Sequence, residues 1–371
     1  MICIDLGNAT TKIAICRPGY PEQYSPIKIT KIGSSVLFSS DGCFLYGNEA
    51  EENLTLSRIR MYNKGFKNKL GRKSSIIVTN LEDNLFECSA LDITCKFLSS
   101  IRSMYEKSGC PLKDLNAAMI AVPANFSPAQ IFEFKKAAEL AGFSVKHVIP
   151  EAEAIGRCIA AESPLETKEK NILIADWGDY ALKLSLITKN SWGKYVLSSY
   201  HKTMNYCGGN SFSDALSTIF MKDVQISEKD VCIDPELCIR LNQKMQLALE
   251  RLSTEQSVNI QITISSAKYL STIFASTVEK IISDRSVTIA RDIAEFVGAI
   301  PDEMKPKKIV MSGGFMHYDA AQNCIMSALP RVDKYKRYED FSDDVVIGLI
   351  RYAHDSYNTQ IEKNFSNIMK G

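Results

Sequence analysis

Residues 1–16 read MICIDLGNATTKIAIC: an apolar run, Ile2-Cys3-Ile4, meets Asp5-Leu6-Gly7, and after Asn8 to Lys12 apolar character resumes at Ile13-Ala14-Ile15. Two apolar runs joined by a short glycine-bearing turn predict a β-hairpin. Its tip carries an acid, a glycine, an amide, two hydroxyls and a lysine. Such a tip can face a phosphate, because glycine lets backbone N–H groups approach and an acid can hold a hydrated Mg²⁺. The same residues also suit an ordinary hairpin turn, so on its own the stretch leaves both readings open.

The pattern returns at Asn171 to Ile187, NILIADWGDYALKLSLI, where a strand runs into Asp176, Gly178 follows, and Leu182, Leu184 and Leu186 alternate in a second strand. An internal repeat redefines the fold. Two Asp-x-Gly hairpins half a chain apart predict two like lobes facing each other across a cleft. Two further glycine pairs accompany them: Gly208-Gly209, and Gly313-Gly314 at the end of the apolar strand KIVMSGGFM, Lys308 to Met316.

A chain of 371 residues fits two lobes. A net charge of +1 gives no global field favouring DNA or an anionic membrane. The sequence opens directly into a strand, without a basic segment and cleavable apolar stretch, and its longest uncharged apolar runs are far short of a membrane span. The eleven cysteines are scattered from Cys3 to Cys324 with no Cys-x-x-Cys pair, which predicts reduced thiols and a cytoplasmic protein. His147, His201, His317 and His354 form no metal-spaced cluster.

Residues 27 to 47 predict a small β-element turning at Asp41-Gly42. Residues 57 to 75 hold Arg58, Arg60, Lys64, Lys67, Lys69, Arg72 and Lys73 without an acid; a solvated loop, a phosphate-reaching lysine and an RNA contact all fit that run. Helices are expected over Asp92–Lys107, from Ser127-Pro128 to a glycine cap at Gly142, and over Glu151–Ala161, with strands at Ala118–Pro123 and Val145–Ile149. The strand–helix alternation predicts a mixed α/β sheet. In the second half, helices are expected over Phe212–Phe220, Pro235–Ser253, Ser266–Asp284, Val287–Val297, Asp319–Leu329, Asp343 to about Ser356, and Asn358–Met369, with a strand at Val258–Ile264.

These residues resemble the nucleotide-binding domain of DnaK-type (70-kDa heat-shock) chaperones, of the actin superfamily, over nearly the whole chain. Ile4-Asp5-Leu6-Gly7 resembles the first phosphate loop and Gly65 to Arg72 the lysine-bearing loop, which puts Lys67 at the catalytic lysine. Val122-Pro123-Ala124-Asn125-Phe126 resembles the family's Val-Pro-Ala-Tyr-Phe, and Val148-Ile149-Pro150-Glu151 places Glu151 at the family's acid. Asp176-Trp177-Gly178 resembles the second phosphate loop, Gly208-Gly209 the next glycine pair and Gly313-Gly314 the adenosine loop. The resemblance implies an actin/DnaK-like ATPase fold, two lobes each with a ribonuclease-H-like mixed sheet around a central nucleotide cleft. Lobe I would cover residues 1–165, with a small subdomain at about 36–92, and lobe II 166–371, with one at about 210–284. It further implies ATP or ADP with Mg²⁺ held by Asp5 and Asp176 through water; Lys67, Glu151 and Asp176 as the catalytic remnant; and Asp5, Gly7, Asn8, Lys12, Gly178, Gly208, Gly209, Ser253, Gly313, Gly314 and Asp343 around the nucleotide.

The departures from the family pattern bear on function. Asn8 and Ala9 replace hydroxyls after the first glycine, and Gly178 is followed by Asp179, Tyr180 and Ala181 where the family has Gly-Gly-Thr. Lys183 replaces the family's next aspartate; Gln246, Leu249 and Glu250 stand where the adenine-clamping helix should offer Glu, Lys and Arg, leaving Ser253; and Phe315, Met316 and His317 replace Ser-x-Arg. The helix after Val-Pro-Ala carries Ile131 for arginine, and Ala152 follows Glu151 in place of proline. Losing one preorganised donor costs about 10²–10³ in rate, so ATP hydrolysis is expected to be weak or absent. The sequence ends after a polar helix, and so no substrate-binding domain and no clamp for client peptide is expected.

The favoured expectation is a degenerate chaperone-like scaffold most like the Ssz-type member of the ribosome-associated complex, which implies a J-domain co-chaperone and the ribosome as partners. The alternative is an active chaperone-type or actin-like ATPase, supported by Lys12, which falls where actin-like proteins have a phosphate lysine. A filament-forming protein has no positive support in the sequence.

Overall fold

A computed structural model describes residues 1–17, 28–38, 44–53, 62–72, 76–79, 85–162, 169–227, 229, 231, 235–264, 267–334 and 342–368. The chain forms two units. One comprises Met1–Lys168, Lys189–Leu197 and Asp343–Gly371, the other Glu169–Thr188 and Ser198–Ser342.

In the first unit the opening stretch is the predicted hairpin. Ile2–Asp5 runs antiparallel to Thr10–Ile15, with Ile2 opposite Ile15 and Asp5 opposite Lys12. Ile2–Asp5 is central in a five-stranded mixed sheet, in the order Ser144–Pro150, Ala117–Val122, Ile2–Asp5, Thr10–Ile15, Ile29–Gly33. Its inner strands are near-continuous apolar runs, as expected for strands buried on both faces; Ile2, Cys3 and Ile4 are fully buried. Ser89 and Ser127 start the helices Ala90–Lys107 and Pro128–Leu140 with capping boxes to Asp92 and Gln130, and the second helix is followed by Gly142 at φ +90°.

Three expectations need correction. Residues 27 to 47 are not one β-element: Ile29–Gly33 joins the main sheet, while Ser35–Phe38 pairs with Phe44–Tyr46 and Tyr62–Lys64 in a separate three-stranded sheet. The turn at Asp41-Gly42 lies outside the described residues, as do Arg58, Arg60 and Lys73. The two C-terminal helices are one, Asp344–Ile368, with Met369 outside the described residues. That helix belongs to the first unit rather than to the second lobe, because Val346, Leu349, Ile350 and Ala353 give it a buried face that packs on the helix Glu151–Glu162. Their contact is close enough that a Cβ on Gly348 would collide with the Ala154 carbonyl.

The second unit repeats the theme. Asn171–Trp177 pairs antiparallel with Leu182–Lys189 and parallel with Lys308–Ser312, in the order Tyr195–Met204, Leu182–Lys189, Asn171–Trp177, Lys308–Ser312, Asp333–Lys334. Helices Gly209–Asp223, Pro235–Leu252, Ala275–Gly298 and Asp319–Ala328 accompany it. The expected helix over Ser266–Asp284 is wrong in its first half. Ala267–Phe274 is a strand paired with Ser257–Ile264, with Ser271 and Ile273 buried and Thr272 and Phe274 exposed, a period-two pattern; Ser266 lies outside the described residues. The helix proper begins at Ala275 and absorbs the one expected over Val287–Val297. Mixed α/β sheets of this kind agree with the actin/DnaK-like fold class. Among the described residues no helix is long and apolar enough to cross a membrane.

Candidate functional site

The first unit gathers one set of the anticipated residues. Gly65, in a left-handed conformation at φ +71°, starts a 3-10 turn over Phe66–Lys69. That turn carries Lys67 inward, where its Nζ donates to Glu151 Oε1 at 2.8 Å. Both side chains are almost wholly buried, at 3% and 6% exposure, and the Phe126 ring centre lies 5.7 Å from the ammonium. Glu151 opens its helix directly from the end of the sheet strand Ser144–Pro150, so the two anticipated catalytic residues meet as a buried ion pair. Asn68 Nδ2 donates to Asn8 Oδ1 at 2.7 Å, which ties the lysine turn to the first hairpin. Gly7 is required there, because a Cβ would strike the Thr10 carbonyl, and Asp5 is buried opposite Lys12. Asp343 stands just before the last helix and pairs with Lys31 at 3.0 Å.

The second unit gathers the rest. Asp176 and Lys183 are cross-strand partners, and Lys183 Nζ lies 3.1 Å from Asp176 Oδ2. Gly178 N–H donates to the Ala181 carbonyl, Gly209 N–H to the Gly178 carbonyl and Asn210 N–H to the Asp179 carbonyl, at 2.8–3.1 Å. The Gly178–Ala181 turn is thereby stitched to the start of the helix Gly209–Asp223. Gly208 and Gly313 are fixed by close approach: a Cβ on Gly208 would collide with the peptide between Tyr180 and Ala181, and one on Gly313, at φ +92°, with the Trp177 carbonyl. Gly178 and Gly314 have open space. Ser253 hydrogen-bonds back to the Glu250 carbonyl through its hydroxyl, at 2.7 Å, and so caps the turn that ends its helix.

Phe315 is 5% exposed and lies inside an aromatic cluster. Its ring centre is 4.5 Å from Phe212, 5.0 Å from Trp177 and 5.2 Å from Tyr318. Trp177 Nε1 donates to the Cys207 carbonyl at 2.5 Å. The Tyr318 hydroxyl donates to the Leu249 carbonyl, and burial pushes its phenol well above the ordinary range. Through that Tyr318 hydrogen bond the cluster couples the Gly313-Gly314 loop to the Pro235–Leu252 helix. Sequence reasoning singled out Phe315 and missed Tyr318 and Phe212, whose meeting is a tertiary contact that no local signal marks.

The two sets fit a magnesium nucleotide differently. The first unit offers a glycine required by close backbone approach, a buried acid and a buried lysine–glutamate pair. In the second unit the residues do not fit: Phe315 is a core ring where a polar contact to a base is needed, and the Asp176 carboxylate is matched by Lys183.

Comparison with known proteins places these features in context. A family model described as "Hsp70 protein" matches residues 1–281. The chain is 25% identical to the chaperone protein DnaK of Mycoplasma mobile over 264 residues, which is 71% of this chain and 42% of that protein. It is 24% identical over 339 residues to an HscA homolog chaperone of Acinetobacter baumannii, covering 87% of this chain and 53% of the other. It is 28% identical over 237 residues to heat shock 70 kDa protein 14 of Bos taurus, covering 59% and 44%. The chain thus spans about half the length of the curated relatives it matches.

Proposed function

The chain belongs to the Hsp70 family, and on that footing we propose that it is a chaperone-family member with an eroded ATP site, acting as a co-chaperone or scaffold. In this reading it binds nucleotide weakly and does not turn it over. It works with a J-domain protein, in the manner of the Ssz-type group, on nascent chains at the ribosome and in the cytoplasm. The observation that carries the reading is Phe315 in its aromatic cluster. The loop that resembles the family's adenosine loop is held by core packing, and a buried aromatic of this kind stabilises by several kcal/mol, about 3–5. The turn Asp179-Tyr180-Ala181 adds two side chains, one of them anionic, where phosphates would need bare backbone, and a carboxylate repels a phosphate. The Lys67–Glu151 pair acts here as a structural tie between the lysine turn and its helix.

The test is a reversion. Phe315→Ser, Tyr180→Gly and Ala181→Thr together restore the family's residues at three of the lost positions. Gain of Lys67-dependent ATP turnover over an inactive parent supports the reading. A parent that already hydrolyses ATP at the rate of the reverted protein removes it. Sedimentation of the chain with ribosomes, and its loss when a J-domain partner is depleted, checks the partner assignment separately.

A further inference from the structure

Both hairpins place a lysine directly across from the acid that would serve a metal. Lys12 is the register partner of Asp5 in the first unit, and Lys183 that of Asp176 in the second. In the second unit the carboxylate takes an ammonium on one oxygen and lies against Gly313 with the other. Oδ2 takes the Lys183 ammonium at 3.1 Å, while Oδ1 packs over Gly313, 2.7 Å from where a Cβ would stand. The pair is largely shielded, with side chains 22% and 16% exposed, so it is screened less than a surface pair. The turn's other acid stands close to a helix start: Asp179 Oδ1 lies 3.5 Å from where a Cβ on Gly209 would be. Gly209 is the first residue of a fifteen-residue helix, whose N-terminus favours an anion.

A hydrated divalent cation is held by carboxylates with charge to spare. At Asp176 that charge is matched by the tethered ammonium of Lys183, and each hairpin sets a lysine across from its acid. From this we infer that the Lys183 ammonium replaces the divalent metal at Asp176, and that the polyphosphate this chain takes is the metal-free anion. The inference rests on the proposed eroded site and names the form of ligand that such a site retains.

The experiment measures ATP binding to the purified full chain by calorimetry and thermal unfolding, in EDTA, in Mg²⁺, and with MgCl₂ alone. The expected result is that ATP in EDTA binds at least as tightly as ATP in Mg²⁺, and that MgCl₂ alone shifts nothing. In Lys183→Asp, metal-free ATP should bind at least about tenfold more weakly, with Mg²⁺ restoring it. Lys183→Gln serves as a milder variant of the same sign, and the comparison of EDTA with Mg²⁺ in the unaltered protein needs no variant. Tighter binding of Mg-ATP by the unaltered chain overturns the inference. Absence of binding in both conditions at millimolar ATP also overturns it, while leaving the eroded-site reading intact. Magnesium-dependent turnover would instead remove that reading.

Discussion

Lys67 and Glu151 show how a residue identified for chemistry can be held for structure. Their 2.8 Å pair is buried, and removing one partner of a buried pair leaves the other's charge without its counter-ion, at a cost of about 3–5 kcal/mol. Lys67→Met should therefore lower the midpoint of chemical denaturation strongly. Lys67→Met with Glu151→Gln should recover part of the loss, with a coupling of at least about 1 kcal/mol in a double-mutant cycle. Additive losses would show that the pair is not coupled. Both residues were legible in the sequence, because each sits in a stretch that matches the family motif. Tyr318 and Phe212 were not. Their role depends on three segments converging, around residue 177, residue 212 and residues 315–318, and no spacing in the chain encodes that meeting. Trp177 was read as a loop residue because of its place in the Asp-x-Gly turn; in the structure it ends its strand wholly buried.

At the scale of elements, the two Asp-x-Gly hairpins, the capped helices and the parallel strands were visible because each has a local cause: alternation, a capping box, or a glycine after a helix. The strand Ala267–Phe274 was misread because an eight-residue run with apolar groups at 269, 270, 273 and 274 also satisfies helical spacing, and the helix that begins at Ala275 continued the pattern. The last helix was placed in the wrong unit because its partner is almost two hundred positions away in sequence. Contact with Glu151–Glu162 is set by Gly348, whose missing side chain lets the helices touch at Ala154. Gly348→Val should force them apart and destabilise the first unit by about 1–3 kcal/mol or more. Protease protection of residues 344–357 and the unfolding midpoint both report it. Unchanged protection would mean that the close approach is not what holds the helix.

At the scale of the molecule, the repeated hairpin and the ordered motifs made the fold class readable, and the family match over residues 1–281 agrees with it. Function was less readable, because it depends on what the altered loops do in space. Asp179, Lys183 and Phe315 are single substitutions in sequence; in the structure they become a carboxylate at a helix start, a counter-ion and a core ring. Together they support the proposed reading of a chaperone-family chain with an eroded ATP site. The most direct measurement is phosphate release from millimolar Mg-ATP by the purified chain, with and without an added J-domain protein, against a Lys67→Ala control. The account predicts release no faster than in the control under either condition. Release that exceeds the control and rises with the J-domain protein would contradict it.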